Sequence, residues 1–158
     1  MRKEVVTGIV MLTFAGAAYG ALPAAEFVKQ AGASDLYEIT SSRIVEASAN
    51  PKVKAFARQM IADHTTSTQA VKTAAAKSGL PPMPPQLTSK QSADVAALRA
   101  ATGATRDSLY VTQQKTAHAD ALALHKDNAA NGATPALKAA SAKIVPVVEH
   151  HKMEIDAM

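Results

Sequence analysis

The sequence predicts an all-α fold: an antiparallel four-helix bundle with a short extra helix before the third long one. Three observations carry that reading. Alanine, the residue of highest helix propensity, dominates the chain beyond its first twenty residues. No stretch alternates apolar and polar residues between turn signals, so no strand is expected. Pro, Gly and Asn divide the chain into segments of helical length joined by short connections.

The first helix is read from about Ala24 to Ala49. Asn50-Pro51 closes it and opens the second, with Asn as N-cap and Pro at the first helical position. The second helix runs to Lys77 or Ser78, with Gly79 as its C-terminal residue. Leu80-Pro-Pro-Met-Pro-Pro85 cannot be helical, because each Pro lacks a donor and restricts its neighbour; it is read as the extended main connector. Thr88-Ser-Lys-Gln91 has the form of a capping box and opens a short helix to about Ala101. Gly103 interrupts, and the third long helix runs from about Thr105 to Ala130, ending at Asn131-Gly132. Thr134-Pro135 caps the fourth, which reaches the C-terminus and should kink at Pro146. The alternative architecture is an open pair of helical hairpins that completes its core by dimerising.

Residues 1–20 read as a secretory signal peptide. Arg2 and Lys3 precede an apolar run from Val5 to Ala18, and Ala18-Tyr19-Gly20 offers small residues where a signal peptidase reads. Cleavage is placed after Gly20, which makes residues 24–158 one helical domain in the periplasm or outside the cell. The apolar run is short against the roughly 20 residues of a membrane span, so an uncleaved anchor is the lesser alternative. No later stretch is apolar for long enough to span, and no stable membrane span is expected after cleavage. With no Cys, disulfides, thiolate chemistry and a lipobox are excluded. The net charge of +4 drops by one when Arg2, Lys3 and Glu4 leave. The Lys residues are scattered, with no basic block and no interleaved aromatics, which argues against nucleic acid as a partner.

Candidate functional residues are the polar ones on apolar faces. In the second helix Val53, Ala57, Met60, His64, Ser67, Val71 and Ala74 follow a 4-3 spacing, with His64 in the middle of the stripe. In the third, Val111, Gln114, His118 and Ala121 share a stripe, with His125 further along as a surface or boundary residue. In the fourth, Leu137, Ile144 and His151 recur every seven residues. In the first, Val28, Ala31, Asp35, Glu38, Ser42 and Val45 form a line. A competing stripe of Ala33, Tyr37, Thr40, Ile44 and Ala47 would put Glu38 at the edge. Antiparallel packing brings His64, His118 and Glu38 to one level, with Glu38 about 3 Å from mid-height and His151 roughly 7 Å off.

Three imidazoles and a carboxylate converging in a bundle form a ligand set for Fe, Zn, Mn or Cu, with Asp63 and Asp107 as extra ligands or as outer acceptors for His N–H groups. No Glu-x-x-His is present: Ile61, Lys115 and Val148 stand three before His64, His118 and His151. A di-iron ferroxidase of the usual kind is therefore disfavoured. The same residues could instead satisfy one another by hydrogen bonds and pin the helix register with no ligand. His150-His151 with Glu149 and Glu154 could be only a polar helix end. Met60, Met153 and Met158 are too scattered for a copper relay, and Met60 reads as core filling. Nothing points to an enzyme: there is no Gly-x-Ser-x-Gly elbow and no glycine-rich phosphate loop.

The order of short motifs resembles the DUF4142 family over nearly all of residues 25–156. Phe27-Val28-Lys29, Glu38-Ile39 and Asn50-Pro51 through Asp63-His64-Thr65 match its first half. Asp107-Ser-Leu-Tyr110 followed by His118, Asn131-Gly132 through Pro135-Ala-Leu137-Lys138, and Pro146 followed by His151 match its second. The resemblance implies a ferritin-like helical bundle, exported in bacteria, with no assigned activity. It picks out Glu38, Asp63, His64, Asp107, Tyr110, His118 and His151, favours His151 over His150, and adds Tyr110 to the outer residues of the candidate metal site. The chain departs from the pattern at Thr68, where Asn is frequent, and at Thr105-Arg106, where a large apolar residue is frequent. Those departures put in question a polar role for position 68 and the packing where the third long helix begins. Two functions are carried forward: a non-catalytic envelope protein, structural or stress-related, acting through a protein partner as monomer or homodimer; and a metal-binding bundle using Glu38, His64, His118 and His151.

Overall fold

A computed structural model describes residues 21–158; the expected signal peptide lies outside the described residues. Five helices and no strand follow: α1 (Ala24–Val45), α2 (Pro51–Lys77), α3 (Ser89–Ala100), α4 (Gly103–Asn131) and α5 (Pro135–Asp156). Local chemistry sets most boundaries. The Asn50 side chain accepts from the backbone N–H groups of Lys52 and Val53, with Pro51 at N1. The α2 C-terminus is a Schellman motif: Leu80 N–H donates to the Ala75 carbonyl, Gly79 N–H to that of Ala76, and Gly79 takes φ +73°. Thr88 and Gln91 cap each other reciprocally at the start of α3. Thr134 caps α5, which continues through Pro146 to Asp156.

Two boundaries differ from expectation. α1 ends at Val45, because the chain turns so that the Ser48 hydroxyl donates to Asp107 across the bundle end at 2.7 Å. α4 begins at Gly103 itself, whose φ of +53° makes it the turn into the helix rather than a break before it. The Arg106 guanidinium donates to the Ala101 carbonyl at 2.6 Å and fixes that turn, so Thr105-Arg106 leaves the start of α4 anchored.

Each long helix packs on two others: α1 on α2 and α4, and α5 on α2 and α4. Tertiary pairs run in opposite directions along every such seam, as from Phe27–His125 to Ser42–Tyr110 between α1 and α4, and from Ser78–Thr134 to Asp63–His151 between α2 and α5. α2 and α4 are therefore diagonal and parallel, and the chain must travel the length of the bundle between them. Residues 78–102, including α3, make that crossover against α1 and α4. One long crossover in an antiparallel four-helix bundle is the ferritin-like topology. Pro85 lies 3.5 Å from where a Cβ on Gly32 would stand, and Gln113 donates to the Asp94 carbonyl at 3.2 Å.

The crossover explains why two stripes compete in α1. Ala33 and Tyr37 are buried on the side facing α3 and the connector, while Asp35 and Glu38 are buried on the side facing the bundle axis. Glu38 is fully buried rather than at the edge. The apolar core forms two clusters. One, at the Phe27 end, includes Val71, Leu137 and Val148; the other, at the Val45 end, includes Phe56, Met60, Leu98, Tyr110 and Ile155. No helix among the described residues is long and apolar enough to cross a membrane.

A buried three-histidine centre

Between the two clusters lies a polar layer. His64 from α2, His118 from α4 and His151 from α5 are 3 %, 0 % and 1 % exposed, and one ring nitrogen from each lies within 4.8 Å of the others. Their ring centroids are 5.5–5.7 Å apart. The offset expected for His151 is absorbed by side-chain direction. From the Ser78–Thr134 contact, His64 is about 21 Å along α2 and His151 about 25 Å along α5. Side chains lean toward their own helix N-terminus, so in antiparallel neighbours these two lean toward each other.

The outer partners fix the tautomers. His64 Nδ1–H donates to Asp35 Oδ1 at 2.8 Å, His118 Nδ1–H to the Gln114 carbonyl at 3.0 Å, and His151 Nε2–H to Asp63 Oδ2 at 2.9 Å. Each partner is an acceptor, so each ring donates outward and turns a bare lone pair inward. Those inner nitrogens, His64 Nε2, His118 Nε2 and His151 Nδ1, are buried without any hydrogen-bond partner. Three buried ring nitrogens thus face one another without a donor, and a cation between them would satisfy all three.

The surrounding charges act differently on the three rings. Burial pushes His118 down to about 3, reinforced by the neighbouring His64 charge and opposed by its backbone hydrogen bond. Burial also lowers His151, against the raising effect of Asp63. For His64 burial works the same way, but the Asp35 hydrogen bond and the Glu38, Asp35 and Asp63 charges outweigh it and raise its pKa. Glu38 stands with Oε1 3.8 Å from His118 Nδ1, and neither of its oxygens has a hydrogen-bond donor. Burial lifts it to about 7 against the lowering effects of His64 and of the Gln114 amide, which lies close by but outside hydrogen-bond geometry.

The expected site residues thus divide. His64, His118 and His151 converge; Glu38 lies beside His118 but outside the trio whose ligand atoms mutually approach; Asp63 orients His151. Asp107 does not reach any His, being held by Ser48 at the bundle end. Tyr110 is fully buried, with its hydroxyl 2.7 Å from Ser42 Oγ and its ring against Phe56, which itself touches His118 and His151. His150 is exposed beside Glu154, leaving His151 as the inward residue.

Three residues play parts the sequence did not assign. Asp35 orients His64; its place in the α1 line with Glu38 and Ser42 was the available signal. Thr68, the departure from the family pattern, has a polar role after all: its hydroxyl donates to Asp35 Oδ2 at 3.1 Å. His125 is not a surface or boundary residue but 2 % exposed, edge-on to Phe27 and 3.1 Å from Ser141 Oγ.

Fold and site define an all-helical, ferritin-like bundle with a buried polar centre on its axis. The chain belongs to the DUF4142 family, a domain of unknown function, which matches residues 11–158. The crystal structure of a DUF305 fragment from Deinococcus radiodurans is similar in fold, with a TM-score of 0.73 over 87 % of this chain and 96 % of that one at 14 % identity. A comparison with curated proteins finds no match.

Proposed function

We propose that this chain is an exported metal-binding bundle whose ion is held by His64 Nε2, His118 Nε2 and His151 Nδ1. The observation that carries the reading is the set of three buried lone pairs with no donor among them. Carboxylate or carbonyl acceptors behind each ring are the usual second layer of a histidine metal site, fixing the tautomer and raising donor strength. Three imidazoles favour Zn, Cu or Fe over Mn, which prefers oxygen donors. Tetrahedral bonds of about 2.1 Å would bring the nitrogens to about 3.4 Å from one another, a small inward movement of the rings. Export rests on the N-terminal pattern of Arg2-Lys3, the apolar run and Ala18-Tyr19-Gly20.

Elemental analysis of the tag-free mature protein, purified without chelator, tests the reading with His64→Ala alongside. Near-stoichiometric metal in the wild type and none in the variant supports it and names the ion. Wild-type protein that stays metal-free after incubation with Fe, Zn, Mn and Cu refutes it. That outcome would return the histidines to the role of register-fixing core groups in a non-catalytic envelope protein. N-terminal sequencing of exported material tests the leader: a start near Ala21 supports cleavage, and an intact Met1 supports an anchor.

A further inference from the structure

α5 is apolar on two faces. Leu137, Ile144, Val148 and Ile155 are buried against the bundle, with Ser141 and His151 between them. The opposite side presents Ala139, Ala142, Pro146, His150, Met153 and Ala157, all exposed and spaced by threes and fours, so they draw one stripe along the helix. The outer stripe of α2, by contrast, is the usual polar one, with Arg58, Thr65, Gln69 and Lys72 exposed. Among the described residues the large apolar side chains left exposed are Val147, Met153 and Met158, all on α5 or just beyond it, and Met153 is 66 % exposed. Single exposed apolar residues are ordinary, but a helix that is apolar all round is normally a covered one.

The charges on this face say what covers it. Lys143 and Glu154 lie on it to either side of Val147 and His150. The positions three and four away from Lys143 are Ala139, Ala140, Pro146 and Val147, so its own helix offers it no acid. Glu154 has a side chain 37 % exposed, stands 3.6 Å from His150 Nε2, and accepts no hydrogen bond at Oε2. Side-chain size is graded along the same line: Ala139 and Ala142 are at the basic end, Met153 and Met158 at the acidic end. A face that is basic and small at one end, acidic and large at the other, is complementary to itself reversed. We infer that α5 is a self-association surface, on which a second copy of this chain docks its own α5 antiparallel about an isologous two-fold axis. With that axis between Val147 and His150, Lys143 of each copy meets Glu154 of the other, and each Met153 lies over the small surface beside Ala142. Parallel pairing would instead set like charge on like charge and large on large. The 22 residues of α5 give a seam about 33 Å long, a small interface, so the association is reversible and weak. The three-histidine centre lies on the other side of α5 and takes no residue from the second copy, so this inference stands apart from the metal-binding reading.

Sedimentation velocity of the mature chain tests this at low salt, from about 1 µM to about 300 µM, a range that brackets a weak interface. The mean mass should rise from that of one chain toward that of two. Lys143→Glu and Glu154→Lys should each weaken the dimer on the order of 10-fold, because each sets like charges together twice across the two-fold. The double variant, Lys143→Glu with Glu154→Lys, should recover the wild-type association. Met153→Asp should abolish it. All three positions lie outside the core, so circular dichroism should show the wild-type helix content in every variant. A wild type that stays monomeric across the range overturns the inference. So does a dimer that survives Met153→Asp and both single charge reversals, since it must be built on another face. A double variant no better than the single ones overturns the antiparallel pairing.

Discussion

Replacing Glu38 with Gln should make the metal-free protein more stable at alkaline pH, although it removes a wild-type side chain from the core. Glu38 is completely buried, and burial raises its pKa from 4.5 to about 7. A folded-state pKa above the unfolded one means that stability linked to this group is fully present below about pH 4.5. It is lost as pH rises through about 7. The separation corresponds to about 3 kcal/mol above pH 7, since each pKa unit is worth about 1 kcal/mol or slightly more. Gln keeps the shape and removes the ionisation. In urea denaturation with chelator present, wild type and Glu38→Gln should therefore be nearly superimposed at pH 4, and the variant should lead by about 3 kcal/mol at pH 8. With Zn(II) the order should narrow or reverse, because the wild type then gains an ion that neutralises its carboxylate. A variant no more stable than wild type at pH 8 in chelator would refute the reasoning, by showing that Glu38 already has a counter-charge or donor in the folded chain.

Acid should destabilise the metal-free protein through its other buried histidines. His118 and His125 are pushed down to about 3 and about 4, below the ordinary 6.5, so the stability they contribute is present above pH 6.5 and lost as pH falls. Each contributes about 1 kcal/mol per pH unit below 6.5, partly offset by Glu38 down to about pH 4.5, and His125→Asn should flatten that limb in urea titrations. Asp63→Asn should change stability by less than about 1 kcal/mol, because the pair is partly exposed, while lowering metal affinity about 10–100-fold in competition titrations. Tyr110→Phe should destabilise by about 1–2 kcal/mol by stranding the Ser42 hydroxyl, and leave metal affinity unchanged in the same titrations.

The fold was legible because its signals are local. Caps at Asn50, Thr88 and Thr134, the Gly79 terminus and the proline run each act within a few residues, and helix-period stripes do the rest. The histidines were legible for the same reason: a His in an apolar stripe is buried whatever lies opposite. What could not be read was anything set by the crossover and by partners across the bundle. Two stripes in α1 looked like rivals because the sequence does not say that a connector covers the second face. Asp35 went without a role because its partners, His64 and Thr68, are 29 and 33 residues away. His125 looked peripheral because its burial depends on Phe27 and Ser141, on two other helices. Asp107 was misplaced because α1 stops at Val45 and frees Ser48 to hold it.

Position of the centre within the bundle bears on what such a site can do. A broad surface groove of about 960 Å³ runs between α1, α4 and the crossover, lined in part by Tyr37, Met83, Asp94 and Gln113, but by none of the three histidines. α1 is the wall between them: Tyr37 faces the groove and its neighbour Glu38 faces the centre. On the other side the polar connection to solvent runs from His151 through Asp63, along the α2–α5 seam. Catalytic metal sites keep a coordination position open to substrate, whereas structural and storage sites are closed. A sealed trio, reached by one half-exposed carboxylate rather than by the groove, has the second form. On the metal-binding proposal, an ion held there would be retained rather than presented to a substrate, and α1, which supplies the buried Asp35 and Glu38, would tie that retention to the folding of the whole bundle.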